Sequence, residues 1–237
     1  MTLDQLLAGL KTAFGAELHA VVLYGSAVAG EHIPQRSNYN VLVLVDSLAL
    51  DRLLAKSSTA REWTEAGNPP PLMMTVREWR ASTDIFAMEH ADILERHRVL
   101  YGEAPFDGVQ VSPEHLRLQT ENQSMGKLLQ LRQGALAAGG DGARQAALLG
   151  ASLSAIMVIF RAVARLHGEQ PPTDYEALSR SVAGRAGFDA APFVQVVRHV
   201  RGAAPIAPAD AGAALAGYLQ GMEQLVAHLD RFRSGAP

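Results

Sequence analysis

The sequence predicts an α/β (α+β) protein in which a mixed sheet flanked by helices is followed by a C-terminal helical bundle. In the first half, short apolar runs bounded by Gly, Pro and small polar residues are typical of strands. In the second half, long Ala- and Leu-rich segments separated by Gly and Pro are typical of helices joined by short turns. We therefore predict a sheet domain at residues 1–110 and an α-helical bundle domain at residues 111–237.

The first predicted elements are one helix and two strands. Thr2 and Gln5 have the spacing of a capping box, which opens an amphipathic helix that ends before Gly15. Strands are predicted at residues 19–24 and 40–45. The second strand is apolar without polar alternation, which indicates burial on both faces of the sheet.

A second helix and a third strand complete the predicted sheet domain. The helix is expected at residues 48–66, where a Gly- and Pro-rich segment ends it. The strand follows at residues 72–76, and its two methionines, Met73 and Met74, are expected to fill a buried strand instead of a cofactor site.

The second half is predicted to consist of helices. Long helices are expected at about residues 113–138, 142–166 and 208–232, and another helix at about residues 192–200. A shorter helix is expected after the second of these, capped by Thr173 and Glu176.

Composition limits the classes of function. The chain has 237 residues, 48% of them hydrophobic and 19% charged, which is typical of a folded globular protein. No apolar run approaches the length that a bilayer requires, and the absence of cysteine excludes disulfides, so we expect a cytoplasmic protein without a membrane partner. A net charge of −3 gives no broad attraction to nucleic acid, so that partner is not expected either.

The chemistry is predicted around Gly25-Ser26, which follows the first strand, and Asn38 and Asn40, which open the second. A Gly-Ser turn after a strand can bring backbone N–H groups close to a phosphate. The pattern resembles the signature of the nucleotidyltransferase superfamily, which includes kanamycin nucleotidyltransferase and DNA polymerase beta. Residues 84–105 also resemble a stretch found in many bacterial nucleotidyltransferase-domain proteins.

The resemblance implies an Asp-x-Asp pair at positions 38 and 40, where this chain has asparagines. Alternate residues of a strand face the same side, so two acids at this spacing can share a Mg²⁺ site with the nucleotide phosphates. Asparagine is neutral and presents an NH₂ donor, so the replacement removes two charges that a metal needs.

Further departures from the family pattern point the same way. The third strand, where the family places another acid, has none, and Ala29 stands where relatives commonly have Arg. Asp46 has the correct strand parity, but it lies about 20 Å along the strand from Asn40, which is too far to share a metal.

These departures favour a catalytically inactive nucleotidyltransferase-like protein, a pseudoenzyme with a nucleotide-binding, small-ligand-binding or regulatory role. Gly25, Ser26, Asn38 and Asn40 are the predicted nucleotide- or phosphate-binding residues, no metal ligand is predicted, and the ligand is expected in a cleft between the domains. The alternative is an active Mg-dependent nucleotidyltransferase that modifies a small molecule or a protein through unusual ligands. No cofactor is expected except Mg²⁺ in that case, and a homodimer is left open.

Overall fold

The computed structural model describes residues 1–28, 39–55 and 57–232. The chain divides into two compact units, residues 1–112 and 113–237. The predicted binding residue Asn38 lies outside the described residues, as does Ala29, so their places in the sequence hypothesis stay predictions.

The first unit is built on a four-stranded mixed sheet. Its described elements, in chain order, are α1 (Leu3–Phe14), β1 (Leu18–Tyr24), β2 (Asn40–Val45), α2 (Leu50–Ala55), α3 (Ser57–Glu65), β3 (Leu72–Thr75), α4 (Val76–Ala81), α5 (Ala87–Glu95) and β4 (His97–Gly102). The strand order is β3-β2-β1-β4, with β1 antiparallel to both of its neighbours and β2 parallel to β3. The predicted fold class, a mixed sheet flanked by helices with a helical second half, is confirmed.

Strand β4 was not among the predicted strands. Its side chains alternate poorly between apolar and polar, and most of them are at least partly exposed, as expected of an edge strand that pairs on one side. It ends at Gly102, where φ is +69° and an added Cβ would collide with the carbonyl oxygen of His19. Only glycine allows β4 to approach β1 this closely.

The two faces of the sheet carry separate apolar clusters. The α1 face is the surface covered by α1 and α3, and its buried cluster contains Leu6, Leu10, Phe14, Leu18, Val21, Leu23, Val41, Val43, Val45 and Trp63. The α5 face is the opposite surface, and its cluster contains Ala20, Val22, Leu42, Leu44, Trp79 and Ile93. Strand β2 supplies alternate side chains to both clusters, and its predicted burial on both faces is confirmed.

Capping boxes begin two of the helices. The Thr2 and Gln5 pair predicted for α1 is formed, with the Thr2 N–H donating to Gln5 Oε1 over 2.7 Å. An equivalent pair starts α4, where the Thr75 N–H donates to Glu78 Oε2 over 2.7 Å. This second box places α4 directly after β3, so the helix turns back over the α5 face.

Strand β3 is less buried than the sequence indicates. Its pattern runs from an exposed Leu72 to the half-buried Met73, Met74 and Thr75. The expectation that Met73 and Met74 fill a buried strand is wrong, because both border a cavity on the α5 face.

The second unit consists of helices in the part of it that the structure describes. They are α6 (Pro113–Ala138), α7 (Gly142–Leu166), α8 (Tyr175–Ala186), α9 (Ala191–Arg201) and α10 (Ala211–Arg231). Helix α7 contributes the largest share of buried apolar side chains and packs against the other four. The cap predicted for α8 is wrong: Asp174, and not Thr173, accepts the hydrogen bond from the Ala177 N–H over 2.9 Å.

Helix α7 is long and apolar enough to cross a membrane by length and composition alone, so the expectation that no segment reaches this apolarity is wrong. Most of its apolar window is buried against the rest of the protein, as it would be in the central helix of a bundle. Its apolarity is therefore accounted for by packing.

Candidate functional site

The end of β1 and the start of β2 meet at Gly25 and Asn40. Tyr24 pairs with Asn40 in the antiparallel register, and Gly25 has φ of +78°. A Cβ added at Gly25 would lie 3.0 Å from Nδ2 of Asn40. Glycine therefore permits both the left-handed turn and the close approach of the amide. Of the predicted binding residues, Gly25 and Asn40 are brought together, whereas Ser26 is described only through its backbone, in the turn Gly25–Ala27.

Asn40 lies on the α5 face of the sheet. It alternates with Leu42 and Leu44, which belong to the cluster on that face, and its strand partner Tyr24 packs against the same cluster. The neutral amide of Asn40 thus stands at the position where the resemblance places a carboxylate.

Two carboxylates near Gly25 and Asn40 come from α5 instead of from the strands. Burial, and then the negative charges of Glu89 and Asp92, raise the pKa of Tyr24 to about 12. Asp92 is itself buried, at 7% exposure. Both residues lie in the segment that resembles nucleotidyltransferases, and the sequence alone predicts no role for them. Their spacing of three residues on a helix was the signal that could have placed them on one face.

The other acid considered from the sequence, Asp46, lies at the far end of β2. Val45, next to it, pairs with Leu18 at the start of β1, while Asn40 pairs with Tyr24 at the end of β1. Asp46 instead contacts His19, with 2.6 Å between Oδ1 and Nε2. Strand β3 has no acid, and among the described residues no group of three or more His, Cys, Asp or Glu side chains could hold a metal ion.

A cavity of about 730 Å³ occupies the α5 face, between β3, α4 and α5. Its apolar wall comes mainly from β3, from α4 and from the segment between α4 and α5, and Leu72, Ile85 and Phe86 at its border are 38%, 64% and 45% exposed. This volume is within the usual range for a small-molecule site, and exposed apolar side chains at a cavity often mark a binding surface.

The polar side chains around the cavity include two acids. The polar side chains are Tyr24, Glu78, Ser82, Glu89 and His90, and no Lys or Arg lines the cavity among the described residues. Hydrogen bonds from the Thr75 N–H and hydroxyl lower the pKa of Glu78, which keeps this carboxylate charged. The cavity therefore has a negative character.

His90 joins α5 to α4 beside the cavity. Its Nδ1 lies 2.9 Å from the carbonyl oxygen of Phe86, and its Nε2 lies 2.8 Å from the carbonyl oxygen of Trp79. The imidazole also stacks on the indole of Trp79, with ring centroids 3.9 Å apart. Both carbonyl oxygens only accept, so a neutral imidazole donates its one N–H to one of them. Through these contacts and the stacking, His90 supports the wall of the cavity.

Two buried polar atoms in the same wall have no hydrogen-bond partner within the described structure. They are Nε1 of Trp79 and Oγ of Ser82, on residues that are 1% and 7% exposed. An unpaired buried donor costs about 1–3 kcal/mol. This feature has no local sequence signal, because it depends on how α4 packs.

Comparison with solved structures identifies the fold of this chain. No family model and no curated protein matches the chain. The fold is that of a nucleotidyltransferase. Among solved structures, the spectinomycin adenyltransferase AAD(9) from Enterococcus faecialis, with ATP and spectinomycin, is similar with a TM-score of 0.64 at 11% identity, over 97% of this chain and 98% of that chain.

Proposed function

We propose that this protein is a nucleotidyltransferase-fold binding protein that transfers no nucleotide and binds a small apolar ligand in the cavity on the α5 face. The observation that carries the proposal is Asn40 beside Gly25 on a sheet whose β3 has no acid. Nucleotidyl transfer needs divalent cations held by carboxylates, and at position 40 the strand offers an amide instead.

The cavity supports a ligand that is neutral or positively charged. A nucleoside triphosphate carries several negative charges, which proteins neutralise with Lys, Arg, metal ions or helix N-termini. The described lining has Glu78 and Glu89 and no Lys or Arg. We infer that an apolar body with one amine suits the cavity better than a polyphosphate, because the amine can approach Glu89 while the body covers the apolar wall.

A second candidate function is an active Mg-dependent nucleotidyltransferase with unusual ligands. The observation in its favour is the pair Glu89 and Asp92, which lie close enough to Tyr24 to raise its pKa. In this alternative these two carboxylates replace the missing acids of the strands and hold Mg²⁺ beside the turn at Gly25. Transfer of labelled nucleotide from ATP to a small molecule or to the protein itself would support it.

The binding proposal is tested with a matched pair of ligands, phenylethylamine and phenylpropionate, which share an apolar ring and differ in charge. Trp79 borders the cavity and the only other tryptophan is Trp63, so Trp63→Phe leaves one fluorescent reporter at the site. We expect a saturable fluorescence change with the amine and a much weaker one with the acid.

The controls separate the site from the rest of the surface. Trp79→Phe should abolish the signal, and Glu89→Gln should weaken the amine while leaving the acid little changed or improved. If Glu89→Gln and the parent bind the amine with the same affinity, and likewise bind the acid with the same affinity, the proposed role of the Glu89 carboxylate is refuted. ATP with Mg²⁺ that competes for the cavity, or that raises the melting temperature by several degrees, would favour the enzyme instead.

A further inference from the structure

The exposed large apolar residues of the second unit lie on a single helix. Within its described residues, 113–232, they are Leu118, Met125, Leu129 and Leu136, all on α6, with 49%, 42%, 48% and 84% exposure. We call these four residues the α6 stripe. Single exposed apolar residues are common, but a set confined to one helix indicates a surface that contacts something.

The α6 stripe is straight. Its members follow each other at intervals of seven, four and seven residues, which is close to two, one and two helical turns. The total of 18 residues is five turns at 3.6 residues per turn, so Leu118 and Leu136 point in the same direction, about 27 Å apart. The opposite face of α6 is buried, with Leu128 and Leu131 in the core of the unit.

The stripe is symmetric about residue 127. Leu118 and Leu136 each lie nine positions from Lys127, and Met125 and Leu129 each lie two positions from it. A second copy of α6, packed antiparallel around a twofold axis at this level, places Leu118 against Leu136 at the two ends of the stripe. The same axis places Met125 against Leu129 on both sides of the centre. An isologous interface requires this self-complementarity.

Charges beside the stripe match in the same register. Glu121 and Arg132 each follow a stripe leucine by three residues, so both lie on one side of the stripe. The twofold axis brings Arg132 of one chain within about one residue of the level of Glu121 of the second copy. Within their own chain these residues contact Arg117 and Glu223, each over 2.7 Å, so a dimer would join two existing ion pairs into a network.

We propose that the α6 stripe is the interface of a homodimer in which two α6 helices pack antiparallel around a twofold axis at the level of residue 127. Two stripes would cover roughly 800 Å² in total, which is below the range of stable interfaces and makes this a weak, transient dimer. The dimer should therefore dissociate on dilution into the low micromolar range.

Disulfide trapping tests the register, because the chain has no cysteine of its own. In the proposed dimer, position 118 lies next to position 136 of the second copy, and the two copies of position 118 are about 27 Å apart. We expect rapid cross-linking in an equimolar mixture of Leu118→Cys and Leu136→Cys chains and little in either chain alone. Cross-linking of Leu118→Cys alone as fast as the mixture, or none in the mixture, would overturn the proposal.

Sedimentation velocity over a concentration series gives the second readout. Leu136→Glu should keep the protein monomeric at concentrations where the parent is dimeric, without changing its melting temperature, since this side chain is 84% exposed. Leu50→Glu is the matched control, because Leu50 is 69% exposed on α2 in the first unit, and it should dimerise like the parent. A monomeric parent at every concentration, or a dimeric Leu136→Glu variant, would refute the interface.

Discussion

The two faces of the sheet differ in how completely they are packed, and the two tryptophans report the difference. Trp63 on the α1 face is fully buried, and its indole N–H donates to the carbonyl oxygen of Pro69 over 2.9 Å. Trp79 on the α5 face is equally buried, but its indole N–H has no partner in the described structure. A cavity of about 100 Å³ lies under α1, against about 730 Å³ beside α4 and α5.

The difference in packing indicates that the two faces of the sheet have different roles. The α1 face has the close packing and satisfied polar groups expected of a surface that only stabilises the fold. The α5 face keeps a large cavity, unpaired polar atoms and acidic side chains at some cost in stability. Departures of this kind from well-packed structure tend to occur at functional sites.

The largest effect is expected for His90→Leu. The substitution removes both contacts of the ring nitrogens with backbone carbonyl oxygens and the stacking on Trp79, so it should lower the free energy of unfolding by about 2–4 kcal/mol. Urea denaturation measures the change.

The matched control is His19→Leu on β1. His19 contacts Asp46, but the side chains are 44% and 58% exposed, so this variant should lose less than about 1 kcal/mol. Similar losses in the two variants would show that His90 does not support the wall of the cavity.

A smaller effect is expected for the pH dependence of stability at Tyr24. Its pKa is raised to about 12 in the folded protein, so the folded state holds a proton that the unfolded state loses above pH 10. Its contribution is present below pH 10 and is lost as the pH rises towards 12, by about 1–2 kcal/mol between pH 9 and 11.

Tyr24→Phe should flatten this part of the stability profile, measured by urea denaturation at each pH. Some slope should remain, because burial also raises the pKa of Tyr218 in the second unit. A variant with the slope of the parent would mean that Tyr24 is not held neutral by Glu89, Asp92 and burial.

The smallest effect is the difference in stability cost between replacing Trp63 and replacing Trp79. Trp63→Phe loses a paired donor and leaves the Pro69 carbonyl oxygen without it, so it should cost about 1–2 kcal/mol. Trp79→Phe removes an unpaired donor while keeping an aromatic ring beside His90, so its cost should stay within about 0.5 kcal/mol. Melting curves of the two variants and the parent measure the difference, and equal losses would contradict the asymmetry.

The elements that were predicted from the sequence are those that a single local sequence pattern determines. Strand β2 was found because an unbroken apolar run has one interpretation in a covered sheet, and α1 was found because its capping box is complete within four residues. Strand β4 and the cap at Asp174 were missed, because edge pairing and the choice between neighbouring caps depend on tertiary contacts.

The candidate site was predictable only in part. The pattern of Gly25 and Asn40 was visible in the sequence, and the structure brings the two residues together. The cavity was not predictable, because it is defined by how α4 and α5 pack beside β3, whose Met73 and Met74 are predicted to fill a buried strand. Volume and unpaired atoms are properties of packing and have no local sequence signal.

We propose a nucleotidyltransferase fold without a metal site, and this is tested by calorimetric titration of Mn²⁺ into the protein with a non-hydrolysable ATP analogue. We expect no saturable heat beyond that of Mn²⁺ binding to the analogue alone in a matched titration without protein, because Asn40 offers a neutral amide and β3 offers no acid. Stoichiometric Mn²⁺ binding that is lost in both Asn40→Ala and Glu89→Gln would contradict the claim and identify the carboxylates of α5 as the ligands of an active nucleotidyltransferase.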